Sequence, residues 1–142
     1  MLIGIPALLG PDLLYTLRSM GHGDEIAIVD GNYPALEHGR RVVRADGLEL
    51  VPVLKAILAV MPIDRFVPDA IFRSAQFNDP AQFAPIHHEI DAVVASMVPD
   101  VAVRAMSGDD LYPRIRQAHT IVATSEPALY ANVILRKGVI EP

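Results

Sequence analysis

Apolar residues recur along this chain at two alternating periods, one helical and one of strand type. Leu13, Leu14, Leu17 and Met20 share one face of a helix that Pro11 opens and Gly21 stops. Residues 25–29 then form a short buried strand, with Asp30-Gly31-Asn32 as turn chemistry at its carboxyl end. Asn32-Tyr33-Pro34-Ala35 continues that loop, and residues 41–44 make a second strand. Leu50, Leu54, Ile57, Leu58 and Met61 mark another helix, with Pro52 near its start and its end before Pro62.

Farther along, an extended segment is expected around Ala70-Ile71-Phe72, although Pro68 argues against a central place in a sheet. Residues 76–80 read as loop. From Pro85, the stripe Ile86, Ile90, Val93, Val94 and Met97 predicts a helix that stops before Pro99. Strands follow at 101–103, 120–123 and 132–135, with a loop over 125–131 and a helix that Asp109 or Asp110 caps and that ends near Gln117. Short strands alternating with helices predict an α/β fold. It is a single domain over residues 1–142, with a mixed or largely parallel sheet flanked by helices. Loops at strand carboxyl ends are where such sheets bind ligands, which singles out Asp30.

Composition narrows the function. The chain is 51% hydrophobic with a mean hydropathy of +0.31, apolar enough that other subunits are expected to cover part of the surface. A net charge of -5 and the lack of any basic run argue against nucleic acid as a partner. Zero cysteines removes disulfides, thiolate metal sites and thiol nucleophiles, and suits a reducing cytoplasm. No signal peptide is expected at the amino end, and the longest apolar stretch, 56–61, is far too short for a bilayer, so no membrane contact is expected. No dinucleotide fingerprint, phosphate loop or HExxH occurs, which argues against dinucleotide and nucleotide-triphosphate enzymes. His87-His88-Glu89 is dense in potential ligands, but neighbours in sequence point to different helix faces and no third ligand is apparent. It reads as a solvated helix start. Thr124 and Ser125 have no basic partner in sequence that would make either a nucleophile.

One histidine has an unusual address. Gly21-His22-Gly23-Asp24-Glu25 sets an imidazole between two glycines, which leave the ring uncovered. Taken alone, that suits either a functional residue or a favourable charge near a helix C-terminus. Other segments extend the pattern. Gly4-Ile5-Pro6, the run Leu8-Leu9-Gly10-Pro11-Asp12-Leu13-Leu14, the His22 segment and Asp30-Gly31-Asn32-Tyr33-Pro34-Ala35 together resemble the start of the RbsD/FucU family of sugar mutarotases. Arg44-Ala45-Asp46-Gly47-Leu48 and the ending from Tyr130-Ala131-Asn132 to Val139 resemble it too. The Arg-Ala-Asp-Gly and Asn-Tyr-Pro-Ala segments are more similar to the L-fucose mutarotase branch than to the D-ribose pyranase branch.

The resemblance implies an α/β fold and a ring-shaped homo-oligomer, with decamers known and sites at subunit contacts. It also implies interconversion of the anomers or ring forms of a free monosaccharide, without metal or redox cofactor. Its implied proton-transfer residue is His22, with Tyr112 as a second catalytic candidate. Asp30 is the implied sugar-binding acid, and Tyr130 and Asn132 match the family's Tyr-x-Asn sugar contacts. Were 130–132 extended, that phenol and amide would share a face. Read without the resemblance, Asp30 is a turn aspartate, Tyr130 a packed aromatic, Asn132 a turn residue and Tyr112 a helix-start aromatic. There are departures. Gly108-Asp109 stands where some fucose-type members carry an arginine, with Arg104 further back, and Asp69 is only a doubtful counterpart of an acidic residue in some animal members. His38 and His119 read as structural. The competing expectations are a noncatalytic sugar-binding or transport-associated protein, and a D-ribose pyranase.

Overall fold

The computed structural model describes all of Met1–Pro142. Strands β1 (Glu25–Val29), β2 (Val42–Ala45), β3 (Ile71–Ser74), β4 (Val103–Met106), β5 (Thr120–Thr124) and β6 (Val133–Arg136) form one sheet in the order β2-β5-β1-β6-β3-β4. β5 pairs in parallel with both β1 and β2, and β3 with β4. Only β6 is reversed, pairing antiparallel with β1 on one side and β3 on the other. The mixed α/β sheet expected from the alternating pattern is therefore present. The single reversal brings the amino end of β6 to the edge where β1 and β3 end.

Successive residues of a strand face opposite ways, and the β1 side chains divide accordingly. Ile26 and Ile28 join the larger core with Leu13 and Leu17 of α1 (Pro11–Ser19), Leu54 of α3 (Leu50–Leu58) and Ile90 of α4 (Pro85–Met97). Ala27 and Val29 turn to the other face. There they meet Ala35 of α2 (Ala35–His38) and Leu111 and Ile115 of α5 (Gly108–Gln117). Helices thus cover both faces, which is why the central strands read as apolar runs without a polar side. No helix is long and apolar enough to cross a membrane.

Several expectations are corrected. β3 lies inside the sheet despite Pro68, because the proline precedes the strand by three positions and removes no ladder hydrogen bond. β4 begins at Val103 rather than at 101. The loop after Tyr33 contains the single turn α2, and residues 76–80 contain the 3₁₀ turn Gln76–Asn78. α5 starts at Gly108 behind Ser107, so Asp109 and Asp110 sit within its first turn, where they favour the positive end of the helix dipole instead of capping it.

Candidate functional site

At the carboxyl edge of β1 and β3, three polar side chains interlock. The Asn132 amide donates through Nδ2 to Asp30 Oδ2 at 3.3 Å and to Ser74 Oγ at 3.1 Å, while its Oδ1 accepts from the Asp30 backbone N–H at 3.2 Å. Asp30 Oδ1 accepts in turn from the Asn32 backbone at 2.9 Å. The β6 reversal makes this junction, since Asn132 immediately precedes Val133, which pairs with Ile28 on one side and Arg73 on the other. All three residues are buried. Burial pushes the Asp30 carboxyl above the usual range, and hydrogen bonds from Asn32, Ala131, Asn132 and Tyr33 only partly offset it.

This junction forms the floor of a cavity of about 630 Å³. Tyr112 and Arg116 enter it from α5, one helical turn apart and therefore on one helix face. Tyr130 enters from the loop before β6. Burial, then the nearby Asp30 and Tyr130, pushes the Tyr112 phenol upward, so at neutral pH it is a hydrogen-bond donor. The segment holding Tyr130 is not extended, because its φ is 60°, in the left-handed region that non-glycine residues seldom occupy. His87 braces it. Fully buried on α4, His87 accepts from the Ala84 backbone N–H through Nδ1 at 3.0 Å and holds the Tyr130 carbonyl through Nε2 at 2.8 Å. The solvated helix start expected at His87-His88-Glu89 is thus wrong for His87. Its ring continues the Ile90 and Val94 face, while His88 stacks on Phe83.

The candidate residues do not all meet. Asp30, Tyr112, Tyr130 and Asn132 share the cavity, but His22 lies at the opposite end of β1, with a strand of roughly 17 Å between them. There its Nε2 stands 3.2 Å from Asp64 Oδ2, and its ring meets Phe66 edge-on at 5.8 Å. Burial alone would raise the Asp64 carboxyl. Hydrogen bonds from the Phe66 backbone, Arg136 and His22 outweigh it and hold Asp64 at about 2. His22 itself is 44% exposed, with one nitrogen anchored and the other free. Asp69 pairs with Arg104 away from the cavity, and His119 contacts Thr120 at the start of β5. The guanidinium that does line the cavity is that of Arg116, two turns beyond Gly108.

Ser74, Arg116, Asp64 and His87 carry no motif of their own. Arg116 was open to inference from Tyr112 by its spacing of four, and His87 from its place three residues before Ile90. Ser74 and Asp64 depend on strand register and on a distant loop, which no local pattern reveals.

The sequence profile of the RbsD / FucU transport protein family matches residues 3–140. The chain belongs to the RbsD/FucU family. Within it, human fucose mutarotase is 39% identical over 143 residues, covering 96% of this chain and 93% of the human protein. The structure of the fucose mutarotase from Streptococcus pneumoniae in complex with L-fucose matches with a TM-score of 0.89 at 36% identity, over 99% of this chain and 100% of that one. FucU from Bifidobacterium longum matches with a TM-score of 0.89 at 34% identity, over 97% and 99% of the two chains. The RbsD/FucU segments read from the sequence, and their leaning toward the fucose mutarotases, accord with these matches.

Proposed function

We propose that this protein is a sugar mutarotase, an isomerase that exchanges the anomers of L-fucose or a closely related monosaccharide. The observation that carries the reading is the convergence of Asp30, Asn132, Tyr112 and Tyr130 on one polar cavity, in a chain similar to fucose mutarotases along its length. Asp30 accepts hydrogen bonds from sugar hydroxyls, while Tyr130 and Asn132 fix the ring. Opening the hemiacetal moves one proton onto the ring oxygen and removes another from the anomeric hydroxyl as the bond between ring oxygen and anomeric carbon breaks. Reclosure on the other carbonyl face reverses both transfers. Imidazole is suited to both directions, and His22 is the proton-transfer residue, with the Tyr112 phenol assisting. Asp64 accepts a hydrogen bond from the Nε2–H of His22, which leaves Nδ1 free to exchange protons with the sugar.

One chain holds the cavity and the histidine at opposite ends of β1, so a second copy supplies His22. A head-to-tail contact joins unlike faces and closes into a ring, here a homo-oligomer working in the cytoplasm and, following the family resemblance, a decamer. Apolar side chains are exposed at both ends. Phe66 stands beside His22, and Leu129 and Phe77 stand near Tyr130, with Leu129 on the cavity itself.

NMR magnetisation exchange between the anomers of L-fucose, with D-ribose in parallel, tests the proposal. The native protein accelerates exchange on fucose, and His22→Ala loses roughly 10²–10⁴-fold with fold and assembly unchanged. Acceleration on ribose alone would reassign the branch. Binding of fucose without faster exchange would favour the noncatalytic sugar-binding protein.

A further inference from the structure

Tyr33 follows the Asp30 turn and lies buried in the cavity wall, its ring 5.0 Å from that of Tyr112 and 5.2 Å from that of His38. Its hydroxyl has one hydrogen-bond partner in the chain, Nδ1 of His38 at 2.7 Å. Across the same imidazole, Nη2 of Arg116 lies 2.7 Å from Nε2. Together the two contacts decide which atom donates. A guanidinium has donors and no acceptor, so Nε2 of His38 is the bare, accepting nitrogen. The neutral ring then carries its single proton on Nδ1, and that N–H donates to the Tyr33 oxygen. The phenol's own hydrogen then has no acceptor within hydrogen-bond distance in the chain, on a residue that lines the cavity.

The surroundings of His38 agree with a neutral ring. Arg116, Tyr33, Tyr112 and Glu37 are the titratable groups around it. Burial and then Arg116 push its titration below the ordinary histidine value, against a smaller opposite pull from Glu37. Burial and then Tyr112 push the Tyr33 phenol up to about 12, against Arg116, so it keeps its hydrogen at neutral pH.

We propose that Tyr33 is a sugar-binding residue that presents a hydrogen-bond donor to the cavity, and that Arg116 and His38 are positioning residues that fix this polarity. The assignment rests on the mutarotase reading of the cavity. It gives the pocket a directed donor to complement the Asp30 acceptor, so one sugar oxygen must offer a lone pair to Tyr33 while another group donates to Asp30. His38, which the sequence places among structural histidines, acts here through Tyr33.

Two measurements on the whole protein test it. In the first, L-fucose is titrated against native protein, Tyr33→Phe, His38→Asn and His38→Asp, with anomer exchange and thermal unfolding followed for each. Tyr33→Phe keeps the ring and its packing and weakens fucose binding ~3–10-fold, the loss of one neutral hydrogen bond. The Asn and Asp variants have the same shape, but only Asn can donate to the Tyr33 oxygen. His38→Asn binds within about 2-fold of native, while His38→Asp takes the phenol hydrogen and binds as weakly as Tyr33→Phe. Equal binding by the Asn and Asp variants, or native binding by Tyr33→Phe, overturns the proposal, and the Asn and Asp pair decides it if Tyr33→Phe does not fold. The second measurement needs no sugar. ¹⁵N NMR of the His38 ring reads Nδ1–H with a bare Nε2 in the native protein, and Arg116→Ala populates the Nε2–H form. An Nε2–H ring in the native protein overturns the relay. A native protein that shows the expected tautomer but binds no fucose locates the failure in the sugar reading and removes Tyr33 as a fucose contact.

Discussion

Asp64 links the stability of the fold to the role proposed for His22. Its carboxylate receives Arg136 Nε at 2.8 Å, the Phe66 backbone N–H at 2.9 Å and His22. In the unfolded chain it titrates near 3.8 and in the folded one at about 2, so the unfolded state binds its proton first as pH falls. The stability it contributes, on the order of 2 kcal/mol, is therefore whole above about pH 4 and lost as the pH falls through 2. Asp64→Asn is expected to lose that amount at neutral pH in denaturant titrations and to show a flatter acid limb than the native protein. Because the same carboxylate orients His22, anomer exchange should slow as well. Asn132 makes a second case. Asn132→Leu strips Asp30 and Ser74 of their amide partner, and a loss of about 1–3 kcal/mol in stability together with sugar binding is expected, since buried polar groups left unpaired carry that penalty.

Among the elements, α5 lines the cavity, while β6 and α4 hold its other walls in place from behind. Ile134 at the centre of β6 is fully buried between β1 and β3, and Ile134→Ala should cost 2–5 kcal/mol, roughly the range for a truncated core isoleucine, as read by denaturant titration. α4 acts at a distance through His87. Burial first, then Arg73, keeps that imidazole below its ordinary value of 6.5, and the Tyr130 hydrogen bond and Asp91 oppose them without reversing the shift. The unfolded chain then takes up a proton that the folded one refuses. Stability is complete above pH 6.5 and declines as the pH falls below it. His87→Leu is expected to flatten that decline and to cost about 1–3 kcal/mol at neutral pH, because the Ala84 N–H and Tyr130 carbonyl lose their partner. It should also weaken sugar binding by releasing Tyr130 from its left-handed backbone.

For the whole molecule, the distance between His22 and the cavity predicts behaviour that one chain cannot show. His22→Ala and Asp30→Ala are each expected to be inactive. Mixed into one ring after co-expression, they should recover about a quarter of the native exchange rate, the share of contacts that pair an intact histidine with an intact cavity. No recovery, with mixed rings verified by mass, would mean that each chain completes its own site. Phe66→Asp puts a charge on the exposed ring beside His22 and is expected to reduce the assembled mass in sedimentation, with exchange falling in proportion.

Helical and strand periods, turn residues and prolines were enough to establish the α/β class and most of the elements, because each is encoded within about a dozen neighbouring residues. The sequence also placed Asp30 at a strand's carboxyl end, and its dispersed motifs pointed to the family. The direction of β6 could not be read, since a buried strand carries the same apolar pattern whichever way it runs. That direction alone brings Asn132 to Asp30 and Ser74. Tertiary structure also decided that His87 is a buried brace, that His38 stands between Arg116 and Tyr33, and that His22 faces away from the cavity of its own chain. The contacts of His87 with Tyr130 and of His38 with Arg116 join residues far apart in sequence and are settled by packing rather than by local propensity, while the separation of His22 from Asp30 follows from the length of β1 between them.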